Sequence, residues 1–239
     1  MKKTESIKEL RKICQPEYQQ VKSNPYYRIY RRFFRLFSIY ITIFLIKIKF
    51  SANLASYLGL IFGIIANLSF YSGKFLLGAI LLQIWILMDT LDGELARYYF
   101  SKKKKVNYLN KGEYLDLNFH HLVHSLIFLS LGLGLFNLTR NINFIYLGIA
   151  SSYAFFLNEL IDLNKVKVLF YTNSKIKKNE VKNKSIFKKI MFIYTFPSIA
   201  NLILIFSIFN EIDFLVYFSG ITFAILVFIK FIINILRKW

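Results

Sequence analysis

Along this chain, long apolar runs alternate with short polar or basic stretches. The runs predict six helices, roughly 53–71, 75–97, 112–136, 143–163, 190–210 and 214–236. Each matches the length of about twenty residues needed to cross a hydrocarbon core of roughly 30 Å. Ahead of them, residues 24–50 ("NPYYRIYRRFFRLFSIYITIFLIKIKF") mix Arg, Tyr and Phe in the first half and turn apolar in the second. That stretch reads as a helix lying in the membrane interface rather than as a seventh span, because its uninterrupted apolar part is short. The expected fold class is therefore an all-α, polytopic membrane protein with six transmembrane helices preceded by an interfacial amphipathic helix. Two parts are expected: an N-terminal arm with the interfacial helix over 1–50, and a six-helix membrane domain over 51–239.

Charge orients this picture. Of the lysines and arginines, twelve precede the first run, six lie in 97–111, nine in 164–189 and three from Lys230 onward. The intervening connections hold only Lys74 and Arg140, a split of thirty against two that alternates with every crossing. Basic loops stay on the cytoplasmic side, so both termini are expected in the cytoplasm and the protein in the inner, cytoplasmic membrane. The segment "NSKIKKNEVKNKSIFKK" (173–189) reads as a solvated basic loop or surface helix. The net charge of +19 among 239 residues raises nucleic acid as a partner. The 26 Phe and 16 Tyr, however, sit inside apolar runs rather than between the lysines, which argues against a base-stacking groove. The one cysteine, Cys14, excludes an intrachain disulfide. The start, "MKKTESIKELRKICQPEYQQ", lacks the apolar core of a cleaved signal peptide.

Acid inside the apolar runs is the exception to this pattern. Residues 89–97 read "DTLDGELAR" and close the second run. A carboxylate near the centre of a spanning helix costs roughly 2.5–3.5 kcal/mol on insertion scales, so such a group pairs, binds a cation or meets water. Helical periodicity puts Asp89, Asp92, Gly93 and Ala96 on one side, with Asp89 about 12 Å deeper than Arg97. On the next run, "GEYLDLNFHHLVH" sets Asp116 and His120 one turn apart, with Glu113 beside them. A short connection lets the two faces meet. Clustered carboxylates at that depth call for a counter-charge, and divalent magnesium or manganese, which prefers oxygen ligands, is the simplest. Gly93 and Ala96 leave room at the backbone, and Arg97 offers a fork suited to phosphate. Together they point to a metal-bound phosphate ester or pyrophosphate.

These residues carry a resemblance. Asp89-x2-Asp92-Gly93-x2-Ala96-Arg97, followed by Gly112-x3-Asp116, resembles the signature of the CDP-alcohol phosphotransferases. In that family a further aspartate follows three residues on, where this chain has His120. The spacer between Arg97 and Gly112 is longer than the family's, with "SKKKK" (101–105) as part of a longer loop. "SANLASYLGL" (51–60) resembles the family's stretch opening the first span, with Ala52 at a usual proline. The resemblance implies transfer of a phospho-alcohol from a CDP-alcohol to an acceptor hydroxyl with release of CMP, in phospholipid or related polar-lipid synthesis. It implies two divalent cations, Mg2+ or Mn2+, at Asp89, Asp92, Asp116 and His120. Gly93, Ala96, Arg97 and Gly112 would line the CMP site, while His120 and Asp116 would serve catalysis. A homodimer is implied as well.

Two other readings compete with transfer: a non-catalytic nucleotide- or metal-binding relative, in which His120 marks lost activity, and a cation-coupled transporter. The transporter lacks the matched broken helices expected of it. His121 and His124 receive no role, Glu159 and Asp162 read as structural, and Lys230 reads as snorkelling to the interface. Pro197 and Asn201 mark a kink in the fifth run.

Overall fold

The computed structural model describes residues 6–16, 25–103, 107–171 and 198–236. Among them all regular structure is helical: α1 (Ile7–Cys14), α2 (Pro25–Lys47), α3 (Ala52–Tyr71), α4 (Phe75–Lys103), α5 (Asn107–Thr139), α6 (Asn143–Tyr171), α7 (Ser198–Ile208) and α8 (Ile212–Leu236). Five are long and apolar enough to cross a membrane: α3, α4, α6, α8, and α5 from Tyr114 onward. Large apolar side chains such as Leu68, Ile80, Tyr146, Ile225 and Phe228 remain exposed on them. In water that surface would aggregate, whereas in a bilayer it is an ordinary outer face. The long apolar helices point to an integral membrane protein.

One sequence expectation changes here. Helix α4 does not stop at Arg97 but continues to Lys103, so part of the supposed longer loop is helical. Lysine is a good helix former, and the Lys102 ammonium sits 5.6 Å from the centre of the Tyr98 ring one turn back. Of the run expected at 190–210, the described part is α7, Ser198–Ile208. Residues 190–197, with Pro197 and the N-terminal side of its expected kink, lie outside the described residues, as does the basic segment 173–189.

The chain divides into two compact units: Met1–Gly63 with Gln83–His120, and Ile64–Leu82 with His121–Trp239. In the first, α1 opens with a capping box in which the Ser6 side chain accepts from the Glu9 backbone and Glu9 reaches back to the Ser6 backbone. That helix buries Leu10 and Cys14 against Ile39 of α2, with Ile13, Ile43, Ile46 and Tyr98 around them. In the second unit, small residues bring helices close, as is usual in membranes. A Cβ added at Gly132 of α5 would lie 2.3 Å from the Phe144 carbonyl oxygen of α6, so only glycine fits. Ser151 of α6 and Ser219 of α8 share a hydrogen bond of 3.2 Å.

Candidate metal and phosphate site

Within the first unit, the acidic faces of α4 and α5 meet. His120 Nε2 lies 2.8 Å from Asp89 Oδ1 and 3.2 Å from Asp116 Oδ1. Asp116 and His120 are one helical turn apart, so their contact follows from the i,i+4 geometry of α5. Asp89 comes from α4 at a sequence distance of 31 residues. Ionised carboxylates only accept, so with both of them ionised it is Nε2–H that donates into this pair. Trp85 of α4 packs on the imidazole, ring centres 4.8 Å apart, and fixes its plane.

Ligand atoms of Asp89, Asp116 and His120 all lie within 4.8 Å of one another. Two carboxylates and one imidazole suit a divalent cation that accepts oxygen with some nitrogen. Asp92 stands apart from that trio. Its Oδ2 accepts a 2.6 Å hydrogen bond from Ser56 of α3, and its side chain is buried. It nevertheless faces the same space: Asp89, Asp92 and Asp116 line one cavity of about 340 Å³.

Of the residues expected at a nucleotide, Gly93 and Arg97 line this cavity, whereas Ala96 and Gly112 do not. The Arg97 guanidinium folds back over Gly93, where an added Cβ would meet its Nη1 at 3.2 Å. Its Nε donates 2.5 Å to the Cys14 carbonyl oxygen at the end of α1. Arg97 therefore caps one helix while its terminal nitrogens lie over Gly93, which also lines the cavity. The Glu113 side chain lies outside the described residues.

Two residues at the site had been passed over. Arg35 of α2 lines the cavity and is only 6% exposed. Glu94, inside the "DGELAR" stretch, is fully buried. Its carboxylate accepts from Gln15 Nε2 at 2.8 Å, Ser38 Oγ at 2.6 Å and Thr42 Oγ1 at 2.6 Å. The signal was present as Arg35, Ser38 and Thr42 at i, i+3 and i+7, a polar stripe on a helix otherwise read as interfacial.

In the second unit several polar groups pair with one another. His121 Nδ1 and His124 Nδ1 hold the two oxygens of Glu159, at 2.5 and 2.8 Å. Lys230 Nζ contacts Asp162 Oδ1 at 2.8 Å and Asn158 Oδ1 at 2.6 Å. No protein-family model, curated protein or solved structure matches the chain.

Proposed function

We propose that the protein is a membrane-embedded, metal-dependent transferase of the CDP-alcohol phosphotransferase type. The observation that carries this reading is the convergence of Asp89, Asp116 and His120 beside a cavity also lined by Asp92 and Arg97. In the proposed reaction the acceptor hydroxyl oxygen attacks the phosphorus bearing the alcohol. The bond from that phosphorus to the bridging oxygen breaks, CMP leaves, and the hydroxyl proton passes to a base at the site. Asp89, Asp92, Asp116 and His120 would hold Mg2+ or Mn2+, which when bound supplies neutralisation of the charge developing on the bridging oxygen. Arg97 orients the diphosphate and Trp85 holds the His120 ring. Asp116 and His120 are the candidate bases, and Asp116 is the more open, its side chain 42% exposed against 27% for His120.

The rest of the reading is a six-span protein with α7 in the fifth span, α2 at the interface, both termini in the cytoplasm, and a homodimeric assembly. The test is exchange of labelled CMP into CDP-alcohols by the purified chain in lipid, with Mg2+ or Mn2+. Exchange that needs the metal supports the reading, and absence of exchange with every CDP-alcohol tried overturns it. One observation favours a second reading, a relative that binds but does not transfer: His120 itself satisfies Asp89 and Asp116, in the manner of a resident counter-charge. CDP binding without exchange would establish that alternative.

A further inference from the structure

The cavity brings together more positive charge than the Asp89–Arg97 stretch supplies. Arg35 reaches it from α2, the helix expected to lie in the membrane interface. From residue 33 onward the exposed face of α2 is apolar and largely aromatic, with Phe33, Phe37, Tyr40 and Phe44 all outward. Arg35, Ser38 and Thr42 form the opposite, buried stripe. A guanidinium cannot shed its proton in a protein, so burying one on an apolar helix is costly unless its surroundings compensate.

What holds this orientation is Glu94. Ser38 and Thr42, one and two turns beyond Arg35, both donate to its carboxylate. Gln15 ties the same point down twice, donating from Nε2 to Glu94 Oε1 and to the Arg35 carbonyl oxygen at 3.0 Å. Rotating α2 by one residue, about 100°, would break these bonds and carry Arg35 out of the cavity. A carboxylate with three donors inside a membrane protein is a specific, oriented lock. It sits two residues from Asp92 and three from Arg97 on the same helix.

We propose that Arg35 is a second phosphate-binding guanidinium, acting with Arg97 on the diphosphate of the donor, and that Glu94 is the positioning residue that aims it. The proposal rests on the donor reading above and adds to it a residue from outside the Asp89–Arg97 stretch. Two guanidinium side chains lining one cavity suit a ligand with several phosphate oxygens.

The experiment measures binding of CDP, inorganic pyrophosphate and cytidine to the full chain in lipid nanodiscs with Mg2+, by titration calorimetry. Arg35→Gln should weaken CDP and pyrophosphate roughly ten- to a hundredfold and leave cytidine unchanged. Arg35→Lys, which keeps the charge and loses the fork, should fall in between. Glu94→Gln should weaken CDP as well, and the double variant should be no worse than Arg35→Gln alone, because the two act as one unit. Phe37→Leu, on the outer face of α2, should bind CDP as the wild type does. Should Arg35→Gln fail to fold, Arg35→Lys decides: a severalfold loss supports the assignment and unchanged affinity overturns it. If folded Arg35→Gln binds CDP and pyrophosphate normally while Asp92→Asn does not, Arg35 is only a structural counter-charge and the donor reading survives. Wild type that binds pyrophosphate but not CDP, with the Arg35 losses as expected, keeps the clamp and removes the cytidine donor. Wild type that binds neither overturns both.

Discussion

At His120 a single ring nitrogen serves two carboxylates, so this residue decides how the site handles charge. An aspartate there would add a negative charge beside Asp89 and Asp116, while the imidazole removes one and favours transition metals over magnesium. His120→Ala should therefore lose most CMP release, whereas His120→Asp should retain some and shift its preference from Mn2+ toward Mg2+. An Ala variant turning over at the wild-type rate makes His120 a spectator and moves the base to Asp116. Asp92→Asn should abolish release with the protein still inserted, since it removes a ligand charge while keeping an acceptor for Ser56. Half of the wild-type rate in that variant would sink the two-cation scheme. Gly93→Ala is subtler. The new methyl meets only the tip of Arg97, at 3.2 Å, so folding should hold while CDP affinity falls severalfold as the guanidinium is displaced. The motif residues were readable because helical spacing alone aligns Asp89 with Asp92 and Asp116 with His120. For Arg35 the sequence offers only the polar stripe it shares with Ser38 and Thr42, because its place depends on packing α2 against Glu94 of α4, separated from Thr42 by 52 residues.

Helices explain which of these alignments were visible. α3, α4, α5, α6 and α8 follow from uninterrupted apolar length, and their bounds shift only at the ends. The overrun of α4 to Lys103 departs from the loop that a basic stretch suggests, because lysine favours helix. α1 is a second departure, although Ser6-x2-Glu9 followed by Leu10 and Cys14 one turn apart is a capping box ahead of an apolar stripe. The docked α1 presents its last carbonyl to Arg97, so fraying it should loosen the site. Ser6→Ala should raise amide hydrogen exchange across α1 severalfold and weaken CDP binding to a smaller extent. Its pH dependence has a definite sign. Hydrogen bonds from the Ser6 backbone and side chain hold the Glu9 carboxyl below its ordinary value of 4.5. A group depressed on folding stabilises above its unfolded value and loses that effect as pH falls through the lowered one. Protection of α1 should thus be full at neutral pH and decline only in acid, and a decline between pH 7 and 6 would assign α1 docking to some other group.

For the molecule as a whole, orientation rests on the thirty-to-two division of basic residues between alternate connections. Cys14 looks like a natural reporter of sidedness, but it is fully buried between α1 and α2, so a thiol reagent on either side would miss it. Exposed positions near helix ends serve instead. Ser101, near the end of α4, and Asn137, near the end of α5, are both accessible. Because α5 from Tyr114 onward is long enough to cross the bilayer, the two labels test opposite ends of one proposed crossing. In a Cys14→Ser background, Asn137→Cys should react with an impermeant maleimide in intact cells. Ser101→Cys should react only after the membrane is opened, because the proposed site, which ends at Arg97 about one turn earlier on α4, would draw its nucleotide from the cytoplasm. The reverse pattern, with Ser101→Cys labelled from outside, would put the acidic cavity on the side away from the cytoplasm, and the cytoplasmic donor reading would fall with the topology.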